Sequence, residues 1–422
     1  MKPLSYIEEF IRLLHRNLSP QGSGGPSALW LSQRNEGTLL LSDSEANEYR
    51  DVASRLFEQF VKKEEMSRRS AERYLQEAIF GSLDLHSRSS IPFEQRLASA
   101  VTQLQSRMAE PAESYTCYVP VGGLGTDGLP CKVGEIRFIV LNRAHLRRLS
   151  RLVEGEAVPS GTVVNPTWFF TDLKRTDSWG KPAAVVRVIA KDFSAAGDLA
   201  RREVRRALDV LNFFSDLVTY NHGWVYFPTE AVLVKSGLLA HQANGGMYVS
   251  LTAEGPLQPF SLKELKDLAI LRPAFRRIHD LMRNKLRSAL SDVLLASIQG
   301  AGRASVERSR EQAFLLFAIA LETLILPESD SQELTYRLRV RVAHLLGRDR
   351  TQRAALSSMI RDLYKIRSKI VHNGSYQVTD DDLGQLRSIT KRSIFRVLLH
   401  RTIRRLRTEQ ELAEWFEGRV LK

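Results

Sequence analysis

The spacing of apolar and polar positions divides the chain into three stretches. In the first, Ile7, Phe10, Ile11 and Leu14 recur on one side of a short helix predicted from Tyr6 to Leu18. Pro20 and the run from Gly22 to Pro26 break it. Tyr49, Val52, Leu56, Phe60 and Val61 then form the stripe of a helical span from Asp43 to about Leu83, and Phe93 to Met108 reads as another helix. From Tyr115 the pattern changes to segments rich in β-branched and aromatic residues: Tyr115–Val121, Lys132–Leu141, Val163–Thr171, Ala183–Ala190, Trp224–Tyr226 and Met247–Leu251. Asp198 to Val218 returns to helical spacing, with Leu208, Leu211 and Phe214 facing a core.

After Ser261 the strand signals stop. Leu262–Leu271 and a piece opened by Pro273 and running to about Leu295 read as helices, and Gly300 and Gly302 read as a break. Four long helical segments follow: Ser305–Leu326, Gln332–Leu346, Gln352–His372, and Asp380 to about Leu406. A short terminal helix is expected over Thr408–Phe416. Long helices with brief links imply an antiparallel bundle. The expected fold class is therefore α+β overall. A helical region (1–112) and an α+β region (113–258) precede a C-terminal all-α bundle (259–422). The glycine-rich stretch Gly122–Gly128 lacks the spacing and lysine of a phosphate loop and reads as a hairpin connection.

Composition narrows the class. A chain of 422 residues with 43% hydrophobic and 26% charged content has the make-up of a multi-domain globular protein. The formal net charge of +13 points to a polyanionic partner, nucleic acid before an acidic membrane, with a merely solvated basic surface as the alternative. Cys117 and Cys131 are the only cysteines, too few for a disulfide framework and without metal-ligand spacing. Glu8, Glu9 and Arg12 argue against a secretory segment. The apolar run Ala313–Leu326 is too short to span a bilayer, so no membrane partner and a cytoplasmic location are expected. No cofactor motif and no metal-binding histidine pair occurs.

Two helices carry the candidate chemistry. In Met359–Gly374, the residues Ile360, Leu363, Tyr364, Ile370 and Val371 describe one apolar face, and Arg367 falls in its middle. Five residues on, His372 precedes Asn373-Gly374, a helix stop. In Gln312–Leu326 apolar residues run almost all the way round, with Glu322 as the single charge after Glu311. A buried carboxylate needs a partner, and Arg367 is the natural one. One reading is a buried ion pair that fixes helix register; the other is a reaction site. On one helix a five-residue step separates Arg367 from His372 by about 140°, which suits a site completed by a second copy. The last long helix adds Arg387, Lys391 and Arg392 to a basic face that could draw in a phosphate backbone, or that a solvated surface explains equally.

The string Arg367-Ser368-Lys369-Ile370-Val371-His372 is an R-x-x-x-x-H motif at the end of a long bundle helix. With the upstream apolar helix bearing Glu322 and the Asn373-Gly374 stop, it resembles the HEPN superfamily, in particular its Apea-like group. The resemblance covers about the C-terminal third, from near Leu262 to Leu406. It implies a metal-independent endoribonuclease acting as a homodimer, with Arg367 and His372 catalytic and no cofactor. Glu322, Ser368 and Asn373 would be supporting residues and Lys369, Arg387, Lys391 and Arg392 would contact RNA. Ser368 stands where many relatives carry Asn or Asp. The resemblance also implies a role in anti-phage defence or as a toxin, the N-terminal region receiving a phage-derived or regulatory trigger. A non-catalytic dimerisation or RNA-binding scaffold is the alternative.

Overall fold

The computed structural model describes residues 4–17, 29–33, 37–61, 66, 68–84, 90–142, 145, 181–218, 225–226, 234–241, 247–254, 259–283, 288–326, 334–373 and 377–420. The expected strand Val163–Thr171 and the Gly22–Pro26 break lie outside them. Two compact units are formed, one by residues 1–117 with 187–201 and one by residues 118–186 with 202–422. The chain is α+β with a helical C-terminal part, as its periodicity predicts.

In the first unit α1 (Ser5–Asn17), α2 (Asp43–Val61), α3 (Arg68–Leu83) and α4 (Phe93–Ala109) surround a core that includes Ile7, Phe10, Leu56, Leu75, Ile79 and Leu104. Helix α2 starts in a reciprocal cap: the Ser42 N–H donates to Glu45 Oε2 at 2.8 Å and the Glu45 N–H to Ser42 Oγ at 3.4 Å. Of the helical span expected from Asp43 to Leu83, α2 and α3 are helical as expected, and residues 62–65 and 67 lie outside the described residues. A hairpin of β1 (Leu29–Gln33) and β2 (Gly37–Leu41), paired Leu29↔Leu41 to Gln33↔Gly37, was not apparent from periodicity. Its strands are leucine-rich and carry Thr38 as their one β-branched residue, so they lack the usual strand signature.

A four-stranded sheet has the order β3 (Glu113–Pro120), β6 (Pro182–Ala190), β5 (Ile136–Val140), β4 (Cys131–Val133). Because β3 neighbours β6 and not β4, the glycine-rich stretch between β3 and β4 is no hairpin connection. Gly122 instead bridges to Tyr226 and Leu124 to Phe260. A Cβ on Gly122 would sit 2.3 Å from the Tyr226 ring, which is why glycine stands there. The single strand expected over Lys132–Leu141 is split by a turn at Gly134, whose φ is +60°. A separate hairpin joins β7 (Val234–His241) and β8 (Met247–Glu254); β7, with Gly237 at its centre, gave no strand signal.

In the second unit the later part of α5 (Phe193–Phe213) leads into α6 (Ser215–Val218). Then follow α7 (Leu262–Asp267), α8 (Arg272–Arg283), α9 (Ala289–Val306), α10 (Arg310–Ile325), α11 (Leu334–Leu346), α12 (Arg350–Asn373), α13 (Asp380–Leu399) and α14 (Glu409–Val420). Serine caps explain two starts: Ser288 accepts from the Ser291 N–H at 3.3 Å and Ser309 from the Gln312 N–H at 3.2 Å. Thr379 and Asp382 cap α13 reciprocally.

Gly300 and Gly302, expected to break the chain, lie inside α9. They are there for packing. A Cβ on Gly302 would lie 1.8 Å from the Asp209 carbonyl oxygen of α5, and one on Gly300 would lie 3.3 Å from Ala320 Cβ of α10. Beside these contacts Arg303 Nε pairs with the buried Asp209 carboxylate at 2.7 Å, and Ser297 Oγ donates to the Ala320 carbonyl at 2.7 Å.

Candidate functional site

Helix α10 buries Phe314, Phe317, Leu321 and Leu324 completely. Its apolar composition predicts burial on every side, and here the structure differs. Ile319 is 51% exposed, and Leu315, Leu316, Glu322 and Thr323 are half-buried. These positions follow the three- and four-residue steps of one helix face, so α10 keeps a largely apolar stripe that nothing among the described residues covers. Helix α12 behaves in the same way. Ile360, Leu363 and Tyr364 are buried, but the stripe they start emerges at Arg367, and Val371 is 51% exposed.

The expected partnership of Glu322 and Arg367 is present, in a looser and wetter form than a buried pair. Arg367 Nε lies 3.6 Å from Glu322 Oε1, with the side chains 34% and 27% exposed. Arg367 Nε itself is shielded from water and makes no hydrogen bond. The Tyr364 hydroxyl approaches the Ala318 carbonyl at 3.5 Å. Burial, with the neighbouring Glu322 carboxylate, pushes its pKa well above the ordinary tyrosine value, so the phenol stays protonated. Tyr364 was not singled out from sequence as part of this site, since its stripe position has a packing explanation.

His372 is exposed in the last turn of α12, and it forms no hydrogen bond or ion pair among the described residues. Ser368 and Lys369 are exposed too, and Asn373 is the last helical residue. The structure thus brings Glu322, Tyr364 and Arg367 together and leaves His372 about 7.5 Å further along the axis and about 140° round it.

Arg387, Lys391 and Arg392 do not extend this site as one basic face. Lys391 is 4% exposed. Its Nζ donates to the Phe213 carbonyl oxygen at 2.7 Å and to Asp216 Oδ1. Burial lowers its pKa to about 8 against the opposing pull of Asp216. Arg387 Nε, 4.0 Å from Asp216 Oδ2, is likewise buried without a hydrogen bond, and Arg392 is exposed. The reason is helical phase: Lys391 lies within about 60° of the buried Ile394 and Leu398 and is drawn inward with them, and Asp216 waits there.

Arg341 also went unnoticed in the sequence. It is 6% exposed, donates from Nη1 to the Ile325 carbonyl at the end of α10 at 3.0 Å, and lies over the Phe416 ring at 5.4 Å. Its place between Leu338, Val342 and Leu345 was the available signal, the same kind that marks Arg367.

Among the described residues no group of histidine, cysteine and carboxylate side chains could hold a metal ion, and no helix is long and apolar enough to cross a membrane. No family model, curated protein or solved structure matches the chain.

Proposed function

We propose that the C-terminal helices form a metal-independent endoribonuclease of the HEPN type, with a cleft completed by a second copy of the chain. The observation that carries this reading is the position of the motif. Arg367 reaches the surface between two exposed aliphatic residues, Ile319 one turn from its partner Glu322 and Val371 one turn beyond it, with His372 at the adjoining helix end. An apolar stripe flanking a cationic side chain suits association with an identical stripe, which would bring two copies of Arg367 and His372 to one groove. Within one chain the two residues point apart.

In that groove the RNA supplies its own nucleophile, the 2′-hydroxyl next to the scissile phosphate. His372 would take the hydroxyl proton or protonate the departing 5′-oxygen. Arg367 would set its planar fork against the crowded phosphate as negative charge builds on it. Glu322 would hold that fork in place through an ion pair partly open to water, whose weak, screened attraction leaves the guanidinium available to the phosphate. Lys369, exposed on the same helix, would meet the strand. A cytoplasmic defence or toxin role, held back until a signal reaches the N-terminal region, accords with the damage unrestrained RNA cleavage would cause.

The second reading is a non-catalytic dimerisation or RNA-binding scaffold, and the Glu322–Arg367 pairing is the observation in its favour. Cleavage of total and transfer RNA in EDTA separates the two, comparing wild type with Arg367→Ala and His372→Ala. The expected result is loss of about 10²-fold or more in each variant, with all three proteins sedimenting as the same dimer. Equal cleavage by all three, or a monomer that cuts, would remove the proposal.

A further inference from the structure

Helix α13 turns a second face, away from the motif, into an open cavity of about 1110 Å³. Gly384, Arg387, Ser388, Lys391, Arg392, Phe395, Arg396 and Leu399 line it at three- and four-residue steps. The far walls come from Asp216 and Leu217 of α6, the turn at Ile270 and Leu271, and the junction of α11 and α12 from Leu345 to Gln352. Neither Glu322, Arg367 nor His372 lines it.

Its charge is lopsided. Arg348, Arg387, Lys391, Arg392 and Arg396 face one carboxylate, Asp216, and that carboxylate is already held by Lys391. No carboxylate among the described residues pairs with Arg348, Arg392 or Arg396. Arg387 Nε is a buried donor without an acceptor, which ordinarily calls for one. Between the cations the wall is apolar: Leu345 is buried, Phe395 half-buried, and Ile270 at the rim is 79% exposed. A Cβ built on Gly384 meets nothing, so the mouth is open there.

We infer that this cavity is a binding site for a small organic polyphosphate, whose phosphates take the guanidinium groups of Arg387, Arg392 and Arg396 and whose apolar body lies against Phe395 and Ile270. Paired planar forks favour phosphate oxygens. The volume slightly exceeds the range of about 300–1,000 Å³ usual for small-molecule sites, too roomy for a lone anion. The inference stands on this cavity alone and does not require that the chain cut RNA.

Calorimetry on the full chain at low salt tests it, with ATP, inorganic pyrophosphate and adenosine as probes. ATP is expected to bind more tightly than pyrophosphate, and adenosine to bind weakest. Arg392→Ala and Arg396→Ala, both at exposed positions, should each weaken ATP by about tenfold. Ser388→Trp, whose ring would stand beside Arg392 with every charge in place, should also weaken ATP, whereas Arg367→Ala and His372→Ala should bind ATP as wild type does. ATP binding that Arg392→Ala, Arg396→Ala and Ser388→Trp all leave unchanged, that is lost with His372→Ala, or that is absent in wild type overturns the inference. An unstructured RNA oligomer that displaces ATP and shows the same dependence on Arg392 and Ser388→Trp overturns it too, since the groove would then serve the strand.

Discussion

Two of the ion pairs that join helices in the second unit differ in almost every physical respect. Glu322 and Arg367 meet at 3.6 Å with about a third of each side chain in water. Asp216 and Lys391 are in tighter contact, and Lys391 is 6% exposed as a side chain, with the Phe213 carbonyl as a second acceptor. An exposed pair trades protein contacts for hydration at little net gain, and salt screens what remains. A buried pair has given up its hydration, so each partner depends on the other. The first pair can therefore be opened and redirected toward a ligand; the second cannot be opened without destabilising the fold. The proposed chemistry is drawn along the same division, with Arg367 and not Lys391 as its cation.

The largest effect should come from cutting the buried pair. Lys391→Met is expected to cost about 3–5 kcal/mol in a urea titration, the usual consequence of stranding a buried charge. The double variant Lys391→Met/Asp216→Leu should recover most of that loss. A double variant as unstable as the single would show that the two residues act separately.

The next effect is a pH dependence of opposite sign to the familiar one. Folded Lys391 gives up its proton near pH 8, while the unfolded chain keeps it to the ordinary lysine value of 10.5. Between those values the unfolded state binds more protons, so stability should rise with pH through that window. The rise should be missing in Lys391→Met, and equal slopes in the two proteins would refute the assignment.

The smallest effect belongs to the half-exposed pair. Arg367→Met and Glu322→Gln should each change stability by about 1 kcal/mol or less, with the difference from wild type shrinking further in molar salt. A loss of several kcal/mol would mean that Arg367 is a structural residue after all.

The same contrast explains how far the sequence could be read. The Glu322–Arg367 partnership was legible because each residue interrupts an apolar stripe, and an interruption asks for a partner. Lys391 sits among Arg387, Arg392 and Arg396, where a basic run conceals a buried member; the neutralising Asp216 lies 175 residues earlier and only tertiary structure brings it close. The helical C-terminal part was visible in periodicity and caps. The leucine-rich hairpin β1–β2 was not, since strand propensity reflects the packing of a pleated surface more than a preference of leucine. The glycines of α9 misled for a related reason: a residue without a side chain looks the same in a list whether it frees the backbone or lets another backbone come near.

That last contact bears on how the protein can change over generations. At Gly302 two main chains touch, so the separation of α5 and α9 is set by peptide atoms and not by side chains that could be exchanged for slightly larger or smaller ones. Most core positions allow drift through neighbouring sizes, each step offset by a neighbour. Here the smallest step, one methyl group, would meet a carbonyl oxygen at 1.8 Å, and no substitution at another side chain makes room for it. The crossing is a fixed point, and the surfaces borne on α10 and α13 can vary around it.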